Sequence, residues 1–244
     1  MRHIEELLEE LFQKVVVMGT MAEGMVRLAT QVLMERNETH AIKLRAKEAE
    51  INQLQVDIDN AAVTLAVTQQ PVAQDARFVF MASRIGSELE RIGDQCINIS
   101  QNAHWIINSP PLRPLVDIPI MADIAQKMVR DAVTAMISRD LVVAEKIRSE
   151  EYKVDAFRDQ IFRTLLTYMM ADPSTIQRAM SLILVARNLE RIGDHANNIA
   201  EEVIYWIQGR DVRHSGAHTP AAAAGAEHAN SNANGNGPLG PVKS

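Results

Sequence analysis

Leu89-Glu90-Arg91-Ile92-Gly93-Asp94 recurs, letter for letter, as Leu189-Glu190-Arg191-Ile192-Gly193-Asp194, one hundred residues further along the chain. The match continues at Asn98 and Asn198, at Ile99 and Ile199, and at Ile107 and Ile207. Hydrophobic patterning alone does not produce six identical residues in a row, so the chain reads as two copies of one structural unit. Glycine inside a helix costs about 1 kcal/mol relative to alanine. Its presence at the same place in both copies, as Gly93 and Gly193, points to the close approach of another helix or of a metal ion.

Outward from the motif, helical periodicity covers most of the chain. Phe78, Ala82, Ile85, Leu89, Ile92, Cys96, Ile99, Ala103 and Ile106 step by four and three, as one apolar seam of a single helix. Ile4, Leu8, Leu11, Val15, Met18, Ala22, Met25, Ala29 and Val32 form a similar seam in a first helix, expected to end at Asn37. Ile51, Leu54, Ile58, Ala61 and Leu65 mark a second, stopping before Pro71. Pro110, Pro111, Pro114 and Pro119 break the pattern, because a helix interior does not accept them. Three further helices follow, at roughly 120–138, 140–171 and 173–208, with Asp172-Pro173 as cap and first residue of the last. The expected fold is all-α: a first three-helix unit at 1–108, a proline-rich linker at 109–119, a second unit at 120–209, and a disordered tail at 210–244. The tail is Ala, Asn, Gly, Pro and His with little apolar content.

Composition narrows the function. Of 244 residues 47% are hydrophobic and the net charge is −6, so the chain can bury a core and offers no positive excess for nucleic acid or an anionic membrane. No run of about 18 apolar residues occurs, which leaves no membrane-inserted segment to expect. The opening Met1-Arg2-His3-Ile4-Glu5-Glu6 does not read as a signal peptide. The single cysteine, Cys96, rules out an internal disulfide and a cysteine-cluster zinc site, and suits a reducing compartment. Its counterpart in the repeat is Ala196, so it reads as a core residue.

The repeated acids fall off the apolar seam. At about 100° per residue, Glu90, Asp94 and Asn98 lie one turn apart on the side away from Leu89 and Ile92, and Glu190, Asp194 and Asn198 do the same. The second helix of each unit adds a pair four residues apart: Glu48 with Asn52, and Glu151 with Asp155. If the helices are neighbours, each unit brings four oxygen-bearing side chains together, which suits a hard cation. The alternative is a solvated face with incidental ion pairs. The first set carries Asn52 where the second carries Asp155, one negative charge fewer, and is expected to be the weaker.

The doubled LERIGD on third and sixth helices resembles the PhoU family, the phosphate-transport accessory and regulatory proteins of bacteria. The resemblance spans about residues 1–214. It is supported by Pro71-Val72-Ala73-Gln74-Asp75-Ala76-Arg77 before the third helix, by Pro110-Pro111-Leu112-Arg113-Pro114-Leu115 and Asp117-Ile118-Pro119 between the repeats, and by Thr167-Tyr168-Met169-Met170 and Tyr205-Trp206-Ile207-Gln208-Gly209. It implies metal ligands at Glu48, Asn52, Glu90, Asp94, Glu151, Asp155, Glu190 and Asp194, with iron, zinc or magnesium as the ion. It also implies a cytoplasmic homodimer that contacts the phosphate ABC transporter's ATPase and the phosphate-sensing histidine kinase, and helps keep the phosphate-starvation response off.

The residues themselves point away from catalysis: there is no P-loop, dinucleotide loop or nucleophile elbow. A di-iron carboxylate oxidase would need inward Glu-x-x-His motifs, whereas the residues three after Glu90 and Glu190 are Gly93 and Gly193. A metal-free helical scaffold that uses the acids as docking contacts is the third alternative.

Overall fold

Each helix boundary has a local cause. In the computed structural model, which describes residues 2–112 and 117–212, the helices are α1 (Arg2–Glu35), α2 (Glu38–Gln69), α3 (Ala73–Ile107), α4 (Asp117–Ser138), α5 (Leu141–Ala171) and α6 (Ile176–Gln208). A short 3-10 turn, Pro173–Thr175, leads into α6. Asn37 is not the end of α1. That helix stops at Glu35, Arg36 turns the chain with φ 53°, and Asn37 caps α2 by accepting the Thr39 N–H at 2.9 Å. Asp140 caps α5 in the same way through Val142 and Val143, and Asp172 caps the 3-10 turn, as its pairing with Pro173 predicts.

Two expected boundaries shift. Pro119 lies inside α4, which begins at Asp117 rather than at residue 120. A first-turn residue has no intrahelical acceptor for its N–H, so proline is tolerated there. At the other end Gly209 terminates α6 with φ 68°, yet Val212 is still buried against the core. The expectation of disorder from 210 onward otherwise falls on residues 213–244, outside the described residues. So does the centre of the expected linker, 113–116.

The predicted seams are the cores. Val15, Met18, Ala22, Met25, Ala29 and Val32 of α1 are all buried, as are Leu89 and Leu189. Helices α1, α2 and α3 pack on one another, and α4, α5 and α6 do likewise, giving two tandem three-helix bundles. No strand occurs among the described residues, and no helix there is long and apolar enough to cross a membrane. The bundles join through like elements, α3 against α6 and α1 against α4, as an internal twofold requires, while α2 and α5 each pack only within their own repeat. Aromatic side chains pin the joint: Phe12 and Phe78 of the first repeat meet Trp206 of the second, with Phe78 and Trp206 centroids 5.2 Å apart. Arg139 stacks 4.6 Å above Trp206.

The repeated glycines serve helix approach, not a metal. A Cβ on Gly93 would stand 3.2 Å from Ile51 Cγ2 of α2 and 3.4 Å from Met25 Cε of α1. One on Gly193 would stand 3.5 Å from Val154 Cγ2 of α5 and 3.6 Å from Met128 Sδ of α4. Both glycines therefore sit at the edge of the core, against α2 or α5, one turn along from Glu90 and Glu190. Cys96 is fully buried, and burial pushes its thiol far above the ordinary value.

The two contacts differ enough to be told apart. Gly193→Ala places a methyl at ordinary contact distance and should gain most of the roughly 1 kcal/mol by which alanine exceeds glycine in a helix. Gly93→Ala must displace the β-branched Ile51 and should gain nothing or lose stability. Thermal melts of the two variants beside the parent measure this. A larger gain at Gly93 than at Gly193 would show that the packing difference is not felt.

Candidate functional site

The LERIGD acids occupy the strip that α3 and α6 leave after three of their sides are packed. Glu90 and Glu190 are half-buried, Asp94 is exposed and Asp194 half-buried. Because α2 packs on α3, Glu48 reaches the same neighbourhood as Glu90 and Asp94. Burial, and then the carboxylates of Asp94 and Glu48, push the Glu90 carboxyl above its ordinary value, outweighing Arg91 and His195. In the second repeat burial, Glu190 and Asp155 push Asp194 upward in the same way. Glu48 and Asp94 thus act on Glu90 through their charge, and Glu190 and Asp155 act on Asp194. Asn52 is exposed on α2 and Glu151 half-buried on α5. Among the described residues no three His, Cys, Asp or Glu side chains stand close enough to share one metal ion.

The second cluster already contains a cation. Arg158, one turn beyond Asp155 on α5, bonds Glu190 through its guanidinium and lies 3.6 Å from Asp155. Its other terminal nitrogen meets Asp159 at 2.8 Å. The structurally equivalent residue in α2 is Gln55, since Ile51 and Ile58 occupy the places of Val154 and Ile161. The two clusters thus differ by an arginine that no motif marks.

Asn198 does not extend the acid ladder. It turns to the joint between the repeats and donates to Glu88 of α3 at 3.0 Å, where His195 Nδ1 also bonds Glu88 at 2.8 Å. Burial pushes the Glu88 carboxyl up, but the hydrogen bonds from His195 and Asn198 outweigh it and hold it below the ordinary value. An ionised carboxylate only accepts, so the ring nitrogen is the donor. The twofold-related positions hold Asn188, Gln95 and Asn98 instead, all neutral. Glu88 and His195 were not among the expected site residues. Their signal was the break in the repeat: the residue before LERIGD is Glu in one copy and Asn in the other, and the residue after it is Gln or His. A second charged tie across the same joint is Arg84 with Glu202 at 3.2 Å, the latter almost fully buried.

Comparison with known proteins agrees with this geometry. The PhoU domain matches the chain twice, over residues 15–103 and 118–203. A Pseudomonas putida protein named phosphate-specific transport system accessory protein PhoU homolog is 37% identical, over 86% of this chain and 82% of its own. One of the same name from Aquifex aeolicus is 37% identical, over 85% of this chain and 94% of its own. The crystal structure of PhoU from Pseudomonas aeruginosa superposes with a TM-score of 0.82 at 33% identity, covering 84% of this chain and 99% of the other. That of the phosphate transport system regulatory protein PhoU from Streptococcus pneumoniae, at 22% identity and TM-score 0.79, shares the fold.

Removing the Glu88 carboxylate tests the joint. Glu88→Ala leaves the His195 and Asn198 donors without their acceptor and should cost about 1–3 kcal/mol at pH 7. Glu88 has a depressed folded pKa, so its contribution is complete above the unfolded value of 4.5 and is lost as pH falls through the folded value. Urea titrations should therefore show the parent and the variant converging in acid. A difference that persists unchanged well below pH 4.5 would assign the loss to packing alone.

Proposed function

The chain belongs to the PhoU family, and from that premise we propose that it regulates phosphate uptake. In this reading it is a cytoplasmic, homodimeric, non-catalytic protein that contacts the phosphate ABC transporter's ATPase and the phosphate-sensing histidine kinase and keeps the starvation response off when phosphate is plentiful. The observation that carries the reading is the family domain matched twice, with LERIGD at the same helical position in both copies. The half-exposed placement of the acids, away from both cores, supports a surface role over an inward di-iron centre. A clean deletion of the gene should leave phosphate-starvation genes expressed in high phosphate, read from an alkaline-phosphatase or reporter assay. Normal repression in that strain, restored by no second copy, would remove the proposal.

We further propose that the acid clusters take a cation such as iron, zinc or magnesium. The residues fit in kind: both clusters are oxygen-only, and both contain a carboxyl raised partly by its neighbours, a repulsion that a cation relieves. As placed, the side chains have not converged on one point. Glu48, Glu90 and Asp94, with Asn52, would hold an ion between α2 and α3. Glu151, Asp155, Glu190 and Asp194 would do so between α5 and α6. Its chemistry would be charge neutralisation and a tie between the two helices. Carboxylate count alone favours the second cluster, but Arg158 contributes one positive charge there and cancels the advantage. Elemental analysis after purification without chelating resin decides the matter. Asp94→Asn should lower the metal content, and Arg158→Ala should raise it by freeing Glu190. Equal content in the parent and both variants would leave only the solvated-face reading.

A further inference from the structure

The outer side of α1 carries a second apolar stripe that none of the described helices covers. Val17, Met21, Gly24 and Leu28 follow one another at steps of four, three and four, the spacing that seats one helix against another. With Val16 they line a groove of about 460 Å³, and Val17 is 51% exposed. Arg27 of α1 and Lys47 of α2 stand along its edge, where Lys47 bonds Glu50 at 2.6 Å in an exposed pair.

Two features set this groove apart. The first is Gly24. A Cβ built on it would meet nothing within 4 Å, whereas one on each of the other helical glycines, Gly19, Gly86, Gly93 and Gly193, would touch a side chain at 3.5 Å or less. Nothing in the packing of the described residues requires a glycine there, and the helix is weakened by having one. The second is the contrast between repeats. Met18, Ala22, Met25 and Ala29 superimpose on Met121, Ala125, Met128 and Ala132, an offset of 103 residues (121 − 18). By that offset Gly24, Leu28 and Lys47 correspond to Lys127, Asp131 and Glu150. There Lys127 bonds Asp131 at 2.5 Å and reaches Glu150 at 3.5 Å, a polar surface that satisfies itself. The first repeat has an apolar trough in its place, edged by Arg27 and by the exposed Lys47–Glu50 pair.

We propose that this groove docks one amphipathic helix of a partner protein. The helix is apolar on the face laid against Val17, Met21, Gly24 and Leu28, and acidic on the flank that meets Arg27 and Lys47. The missing side chain at Gly24 admits the partner's backbone closely, and Arg27 with Lys47, whose exposed pair with Glu50 is worth little, sets the charge of the incoming flank. The inference does not depend on the acid clusters of α3 and α6.

Two synthetic helical peptides of about 18 residues, long enough to hold a helix once bound, provide the probe. They share one Leu/Ala face and differ only in carrying Glu or Lys on the flanks. Fluorescence anisotropy against the full chain should show the Glu-flanked peptide bound at least about tenfold more tightly than the Lys-flanked one. Gly24→Leu, whose Cβ meets nothing within 4 Å and whose side chain projects into the groove, should weaken that binding by at least about tenfold. Arg27→Glu combined with Lys47→Glu should invert the preference. Both residues are exposed or half-exposed, so this variant keeps the test open if Gly24→Leu fails to fold. Absence of peptide binding, or binding indifferent to both variants, overturns the proposal. So does light scattering in which the parent is a dimer and Gly24→Leu a monomer, which would make the groove a contact between two copies.

Discussion

A helix packed on three sides has one strip left for chemistry. Helices α3 and α6 each lie against both other helices of their own repeat and against one another. That arrangement leaves Glu90 with Asp94, and Glu190 with Asp194, on the strip beside α2 or α5. The glycine inside the motif draws the neighbour in: with no side chain at Gly93 or Gly193, Ile51 and Val154 close to van der Waals distance. The same close approach brings Glu48 to Glu90 and Asp155 to Asp194. The acids face one another because the cores on the opposite side of the same helices are tight.

Duplication supplied two equivalent surfaces, and single substitutions have made them unlike. Arg158 stands where the first repeat has Gln55, so one carboxylate cluster has an arginine bonded across it and the other a neutral amide in that place. Glu88 and His195 stand where the twofold partners are Asn188 and Gln95, so one half of the α3–α6 joint is charged and the other neutral. Gly24 stands where the second repeat has Lys127, which leaves an apolar trough where the other repeat has a lysine tied to two acids. None of these changes disturbs a buried seam position. Altering a residue off the apolar seams costs less than altering a seam residue, so the fold stays twofold while its faces diverge.

The joint between the bundles explains why the repeats act as one body rather than as beads on a linker. Phe12, Phe78 and Trp206 place aromatic area from both repeats in one cluster, and Arg77 donates to the Trp206 carbonyl at 3.3 Å. Arg84 with Glu202, and Glu88 with His195 and Asn198, add charged ties whose partners are mostly withdrawn from water. Buried pairs of this kind contribute more to orientation than to net stability, because desolvation offsets much of their attraction. They hold α3 and α6 in one register, and with it the distance between the two acid clusters.

Much of this was legible in the chain itself. Six helices, the doubling, the buried seams from Val15 to Val32 and from Phe78 to Ile106, and the placement of the repeated acids off those seams all follow from periods of three and four residues. They also follow from an identity at an offset of one hundred. These are local or self-referential signals, and helical geometry converts them directly into faces. Arg158 meeting Glu190, Glu88 meeting His195, and Asn198 turning to the joint instead of the acid ladder were not legible. Neither was the open groove over Gly24, nor the failure of the acids to converge on one point. Each depends on how far one helix is rotated and slid against another, and a rotation of a few tens of degrees moves a side chain from one neighbour to the next. That setting is decided by the packing of all six helices at once, across separations of 110 residues for Asn198 and Glu88 and 129 for Arg77 and Trp206.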